Sequence, residues 1–300
     1  MPKTIVITGA SSGFGAMTAR LLADAGHVVY AGMRDVAGSD REAAEELQEY
    51  AAASRLALNA VPMDITDDQM VRAAVDRIIA ERGQLDVVVH NAGHMVLGPT
   101  EAFTVEQLAS VYDVNTLSTQ RLNRAALPHM RKRRDGLLIW VGSSSSRGGT
   151  PPYLGPYFAA KAAEDALAVS YAAEVARFGI DTTIVVPGAF TTGTNHYRDA
   201  GHPADEATAV AYDELYAGLM EEIPARQAEI TPPGDSDPGE VARQILRVVS
   251  LPKGQRPFRV HIDPVHDGAE EIFAIGDRVR EWYFQRLGLA DLLRPAGSDH

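Results

Sequence analysis

Tyr157 and Lys161 stand four residues apart in a stretch with helical periodicity, so their side chains share one face and can meet a ligand in the same cleft. A phenol ordinarily ionises near pH ~10, too high for neutral chemistry. A neighbouring ammonium favours the phenolate, which makes proton exchange with an alcohol or a ketone feasible near neutral pH. Tyr157 is then the acid and base. Ser144, thirteen residues earlier, can hydrogen-bond a substrate oxygen on which negative charge develops. It lies in a run of four serines, Ser143 to Ser146, and Ser145 is a second choice. Near the start of the chain, Thr8-Gly9-Ala10-Ser11-Ser12-Gly13-Phe14-Gly15 follows an apolar run and opens into a helical pattern. Its three glycines allow a tight turn, close backbone approach to a pyrophosphate, and a helix N-terminus whose free N–H groups favour an anion.

These residues need a scaffold, and the pattern of apolar runs supplies one. Strand candidates at Lys3 to Thr8, His27 to Gly32, Leu56 to Met63, Leu85 to His90, Gly136 to Gly142 and Asp181 to Val186 are rich in Val, Ile or Leu, as strands buried on both faces are. Helical patterns lie between them, at Phe14 to Ala25, Asp40 to Ala53, Asp67 to Arg82, Val105 to Met130 and Pro156 to Phe178. Thr66 or Asp67, and Thr104, suit N-caps, while Gly26, Gly83 and Gly179 suit stops. The alternation predicts an α/β fold: a single-domain doubly wound parallel sheet, Rossmann-like, spanning residues 1–300. After Pro187 the regularity fades into a substrate loop at 191–239, with five prolines and a helical patch at Asp213 to Glu222. Residues 240–300 then add a C-terminal extension of helices, Pro238 to Ser250 and Ala269 to Leu287, around a strand at Phe258 to Ile262. The first βα turn of such a sheet is where a dinucleotide binds, which places the glycine turn.

Composition narrows the partners. Forty Asp and Glu against 28 Lys and Arg give a net charge of -12, which argues against nucleic acid and anionic membrane and for a small molecule. The chain has no cysteine, so thiolate chemistry, disulfides and Cys-ligated zinc are excluded. Its nine histidines form neither H-E-x-x-H nor another compact ligand set, and no metal is expected. The first strand candidate begins at Lys3, which leaves no room for a signal peptide, and no apolar run reaches the roughly 18 residues of a membrane span. A cytoplasmic protein is expected.

The spacing Gly-x-x-x-Gly-x-Gly after Thr8 resembles the short-chain dehydrogenase/reductase family. The likeness continues in register: Asn91-Ala92-Gly93 after the fourth strand, Asn115 in the next long helix, Ser144 after the fifth strand, Tyr157-x-x-x-Lys161, and Pro187-Gly188 after the sixth. Val28 to Asp35 and Pro151 to Lys161 are similar to the hydroxysteroid and retinol dehydrogenase branch. The resemblance implies a nicotinamide cofactor held by Gly9, Ser11, Ser12, Gly13, Phe14, Gly15, Asp64, Ile65, Asn91, Ala92, Gly93, Pro187, Gly188, Phe190 and Thr192, together with Tyr157 and Lys161. It also implies that Ser144 binds the substrate oxygen, that Lys161 holds the ribose, and that Asn115 supports a proton path through water. Departures occur at Gly148, one position later than the family spacing, and at His90, where another Asn is common; His90 reads most simply as a core histidine at a strand end.

Cofactor choice turns on the end of the second strand. An acid there binds both ribose hydroxyls of NAD(H), whereas an Arg favours a 2'-phosphate. The sequence has Met33-Arg34, which favours NADP(H) over NAD(H); the competing reading pairs Arg34 with Asp35 on the surface. The expected activity is reversible hydride transfer between NADP(H) and a carbonyl or secondary alcohol, a hydrophobic ketone or aldehyde, by a homodimer or homotetramer. An NAD-linked alcohol dehydrogenase and a non-catalytic nicotinamide-binding redox sensor remain alternatives. His196, Tyr197, Tyr212, Tyr216 and Met220 supply large side chains to the substrate loop.

Overall fold

Seven of the apolar runs form strands in the computed structural model, which describes residues 1–190, 193–232 and 237–298. Thr192, expected beside the nicotinamide, lies outside these residues. In chain order the elements begin β1 (Thr4–Ile7), α1 (Gly13–Asp24), β2 (Val28–Met33), α2 (Arg41–Ser54), β3 (Leu58–Pro62), α3 (Asp68–Arg82) and β4 (Val87–His90). The sheet order is β3-β2-β1-β4 and continues through β5 (Gly136–Val141), β6 (Ile180–Pro187) and β7 (Arg259–Ile262), with every pair parallel. β1, β4, β5 and β6 are buried at every position, as a sheet with helices on both faces requires. Edge strand β7 is half-buried throughout.

Two apolar layers sandwich the sheet. On one face Ile5, Ile7, Val29 and Val87 pack against Leu22 of α1, Leu47 of α2 and Ile245 of α9 (Gly239–Ser250). On the other, Val6, Val88 and Trp140 pack against Val75 of α3, Leu122 of α5 (Ser118–Arg133), Ala168 of α6 (Gly155–Ala176) and Phe273 of α10 (Ala269–Arg286). The expected caps are present: Asp67 accepts from the N–H groups of Gln69 and Met70, and Thr104 forms a capping box with Gln107.

Two expectations are corrected. The single helix expected from Val105 to Met130 is α4 (Val105–Tyr112) and α5, joined by a turn of π-helix at Asp113–Leu117. Such bulges widen the helix by one residue and re-aim side chains, here turning Asn115 fully inward. The segment after β6 is not an irregular loop but carries α7 (Glu206–Tyr216) and α8 (Leu219–Ile230). The helical patch expected across Asp213 to Glu222 breaks between them, at left-handed Gly218.

The C-terminal extension is tied to the rest by Arg259 of β7. Its guanidinium pairs with Asp165 of α6 and, at 2.8 Å, with Asp277 of α10, and its carbon lies 4.1 Å from the Phe273 ring centroid. Removing one partner of a buried ion pair leaves the other charges uncompensated. Arg259→Met is therefore expected to lower unfolding free energy by about 3 kcal/mol in equilibrium urea denaturation. An unchanged denaturation midpoint would contradict this role.

Candidate active site

The glycine turn is built around close approach of two strand ends. Gly9 has φ +63, and a Cβ there would sit 2.8 Å from Cα of Ala92. A Cβ on Gly15 would lie 2.3 Å from the Gly9 carbonyl oxygen, so neither position admits a side chain. What draws the strands together is a set of hydrogen bonds from Asn91 and Ala92 to Thr8 and Gly9. The Thr8 hydroxyl accepts from the N–H groups of Asn91 and Ala92, each at 3.0 Å. The Asn91 amide donates to the carbonyls of Thr8 (2.8 Å) and Gly9 (3.0 Å). Asn91 thus holds the turn in shape, and its polar hydrogens are spent on main chain. The N-terminus of α1 faces the resulting groove, and the Ser12 side chain makes no capping bond there.

The groove is open to solvent and has a cavity volume of about 500 Å³. Its walls include the turn residues Gly9, Ser11, Ser12, Gly13 and Phe14, the strand-end residues Asp64 and Ile65, and Asn91, Ala92 and Gly93. Arg34 lies on the rim, exposed, with no ion pair among the described residues. The alternative pairing with Asp35 is not formed: that carboxylate accepts from the Ser39 N–H instead. Met33, in the acid-selective position, is buried. Asp64 uses one carboxylate oxygen in a local turn, accepting from the N–H and hydroxyl of Thr66. The turn glycines leave room for a pyrophosphate and Arg34 supplies a cation, so these residues fit a phosphorylated dinucleotide.

Beyond Phe14 and Gly93 the groove continues into an inner pocket with a cavity volume of about 80 Å³. Tyr157 and Lys161 face it from α6, with Pro187, Gly188 and Phe190 opposite. Phe190 packs edge-on to Phe14, ring centroids 5.4 Å apart, fixing the wall between the two spaces. Burial pushes the Tyr157 phenol above its ordinary range; Lys161 pulls it down, Glu164 pushes it up, and a hydrogen bond with Ser143 favours the phenolate. Lys161 is almost fully buried and donates to the Val141 carbonyl at 3.0 Å and to Glu164 at 2.7 Å. Burial works to lower its pKa, but the Glu164 carboxylate outweighs that and holds the ammonium charged.

Ser143, Ser144 and Ser145 all line the inner pocket. Ser143 continues β5 in extended conformation and its hydroxyl faces Tyr157. Ser144 begins a 3-10 turn, is buried, and lines the same pocket near the Asp267 carboxylate. Ser145 reaches the pocket too, its hydroxyl 2.7 Å from that of Ser143. Asn115 lies behind the site: both of its N–H groups donate to carbonyls, of His94 and Val111, and its oxygen accepts from the His94 N–H. His90 is buried and bonded to Asn123 at 2.9 Å, and desolvation lowers its pKa to about 4, in keeping with a core histidine.

Of the large residues after β6, His196 and Tyr197 line the inner pocket. Tyr212 and Tyr216 instead stack on each other outside it, and Tyr216 meets Tyr153 edge-on. Burial lowers the His196 pKa to about 4 and raises that of Tyr197 to about 12. Sequence reasoning missed Gln227, which accepts from the Tyr197 hydroxyl at 2.9 Å, and Asp267. The one available cue to Asp267 was its place just past a strand's carboxyl end, where ligands collect in open α/β sheets.

Residues 3–202 match a family model described as short chain dehydrogenase. Over 264 residues, 88% of this chain and 89% of the other, the sequence is 36% identical to a 3-ketodihydrosphingosine reductase of Bacteroides thetaiotaomicron. It is 32% identical over 262 residues to human 17-beta-hydroxysteroid dehydrogenase type 1, covering 84% of this chain and 76% of that protein. A solved short-chain dehydrogenase from Streptomyces avermitilis aligns with a TM-score of 0.75 at 28% identity, covering 96% of this chain and 97% of that one.

The Thr8 hydroxyl offers a direct test of how the groove is held. Thr8→Val keeps the side-chain shape but leaves two part-buried N–H groups without their acceptor, and is expected to cost about 1 kcal/mol of stability. Urea denaturation reads the stability, and fluorescence titration with NADPH reads the groove; a variant as stable as the parent would show that the turn is held by other contacts.

Proposed function

The chain belongs to the short-chain dehydrogenase family and is an oxidoreductase, and on that premise we propose that it transfers hydride reversibly between NADP(H) and the carbonyl or secondary alcohol of a bulky hydrophobic ketone or aldehyde. The observation that carries this reading is the convergence of Tyr157, Ser143 and Lys161 on a pocket with apolar walls, including Met95, Leu154 and Phe158, that opens into the Arg34 groove. The ketosphingoid and steroid names of the relatives support a bulky hydrophobic substrate.

The bound nicotinamide supplies or accepts the hydride. In reduction, Tyr157 Oη gives its proton to the carbonyl oxygen; in oxidation it takes the proton back. Ser143, in place of Ser144, donates a hydrogen bond to that oxygen as its negative charge grows. Burial raises the pKa of the Tyr157 phenol, and the Lys161 ammonium opposes part of that rise by favouring the phenolate. Asn115 fixes the His94 main chain at the junction of groove and pocket. Exposed Arg34 and buried Met33 favour the 2'-phosphate of NADP(H) over the bare ribose of NAD(H). His196, Tyr197 and Gln227 close the pocket from the segment after β6 and from α8, and substrate choice resides there. The same reading makes the protein a cytoplasmic homodimer or homotetramer, in which the partly exposed Leu117 and Phe178 come under a neighbouring copy. Among the described residues no helix is long and apolar enough to cross a membrane.

NADPH consumption across a panel of steroid, long-chain and aromatic ketones and aldehydes tests the activity. On a substrate found there, Tyr157→Phe is expected to lower turnover by roughly 100-fold or more with little change in cofactor affinity. Ser143→Ala should fall by a similar factor while Ser144→Ala keeps most activity; the reverse order would return the role to Ser144. Arg34→Ala should weaken NADPH by about 1.5–3 kcal/mol through loss of a charge-assisted bond and leave NADH nearly unchanged. Equal loss for both cofactors in fluorescence titration would place Arg34 outside the selection.

A further inference from the structure

Glu164 is a buried carboxylate that the mechanism above does not use. It follows Lys161 by three residues and Tyr157 by seven, so all three occupy one face of α6. Its Oε2 lies 2.7 Å from Lys161 Nζ, with the two side chains only 2% and 5% exposed. A carboxylate at that depth is costly unless paired, and a nearby leucine or alanine would have packed against the helix without that cost. The pair therefore cannot be dismissed as a solvated surface contact.

We propose that Glu164 is a positioning residue of the active site, whose carboxylate anchors the Lys161 ammonium beneath Tyr157, cancels part of its field at the phenol, and so sets the pH at which Tyr157 exchanges its proton. The proposal rests on the assignment of Tyr157 as acid and base. Two opposing effects of one lysine explain why a counter-charge belongs there. An uncompensated buried ammonium would itself tend to lose its proton, and with it the charge that favours the phenolate. A fully compensated one would leave the phenol no better an acid than burial allows. Glu164 keeps Lys161 charged and moderates what that charge does to Tyr157. Burial pushes the Glu164 carboxyl up to about 7 against the pull of Lys161, so the acid is itself poised near neutrality.

Glu164 is the carboxylate in contact with Lys161; Asp267 lines the same pocket from the loop after β7 and accepts from the Ala269 N–H. From β5 comes only the Val141 carbonyl. From the π-turn come the neutral Asn115 and Thr116, the latter bonded to the Ala160 carbonyl. His196, after β6, is held neutral by burial, and Tyr197 acts on Tyr157 only if ionised. Asp165, next along the helix, is turned to Arg259 and paired with it.

The test is Glu164→Gln, which keeps an oxygen for Lys161 and removes the charge. The Tyr157 midpoint is read by ultraviolet difference titration of the phenolate, with Tyr157→Phe and the double variant as backgrounds that subtract the other tyrosines; this readout needs neither substrate nor cofactor. Removing the neighbouring anion should lower the midpoint by about one pH unit or more. On a substrate from the ketone panel, the acid limb of the alcohol-oxidation profile should move to lower pH by the same amount. A folded Glu164→Gln protein whose midpoint and acid limb stay in place would overturn the proposal and leave the Tyr157 assignment standing. If instead Tyr157→Phe retains full activity, that assignment fails whatever Glu164 does. Should Glu164→Gln not fold, Glu164→Asp carries the test: withdrawing the carboxylate by one methylene should lower the midpoint by a smaller step, and no step at all would overturn the proposal.

Discussion

The crossing of the chain from one edge of the sheet back to its centre is the constraint on which the rest depends. β3 ends at an edge, and the chain must return to lay β4 against the far side of β1. The helices that follow β1 and β4 therefore depart on opposite faces, which opens a crevice at the carboxyl ends of the two strands. A crevice between adjacent strand ends exposes main-chain groups, and here Thr8, Gly9, Asn91 and Ala92 satisfy them across the gap. The glycines follow from that stitching, because the two backbones approach too closely for a Cβ. The phosphate-binding geometry is thus a by-product of topology that the sequence then reinforces.

From the same crevice the site extends along the sheet. β5 ends in the serine run, β6 in Pro187-Gly188 and β7 in the loop carrying Asp267, so successive strand ends contribute successive walls of one pocket. From within helices come Phe14 of α1, Gln227 of α8 and the inner face of α6, which carries buried polar side chains: Tyr157, Lys161, Glu164 and Asp165. Buried charge on one helix face is destabilising unless matched, and each is matched, Lys161 by Glu164 and Asp165 by Arg259. Arg259 thereby connects the C-terminal extension to the catalytic helix, so that β7 and α10 help hold the site as well as widen the sheet.

The sheet and the glycine turn were legible because parallel strands buried on both faces read as unbroken apolar runs, and because a strand-turn-helix junction leaves its mark in glycine spacing. Every strand end fell within two residues of expectation, and the two-residue differences lie where a coil residue carries an apolar side chain, at Leu56 and Leu85. The π-turn was not legible, since Val105 to Met130 keeps a helical pattern through it and one extra residue per turn shifts the pattern too little to see. Four consecutive serines offer no internal cue to which one continues the strand, so the Ser143 contact had to come from the structure. Glu164 was hidden for a different reason. An acid three residues after a lysine on a helix reads as an exposed ion pair, and burial is what converts it into part of the site.

Hydride exchange between NADPH and a ketone, with Tyr157 as the chain's own proton donor and Lys161 beside it, is the activity we propose for this pocket. The most direct measurement is isotope transfer: incubate the protein with NADPH deuterated at the reactive nicotinamide carbon and a hydrophobic ketone, then weigh the product alcohol by mass spectrometry. The account predicts one deuterium at the carbinol carbon, with transfer slowed by at least roughly 100-fold in Tyr157→Phe. Alcohol formed without deuterium, or deuterium delivered equally fast by Tyr157→Phe, would contradict it.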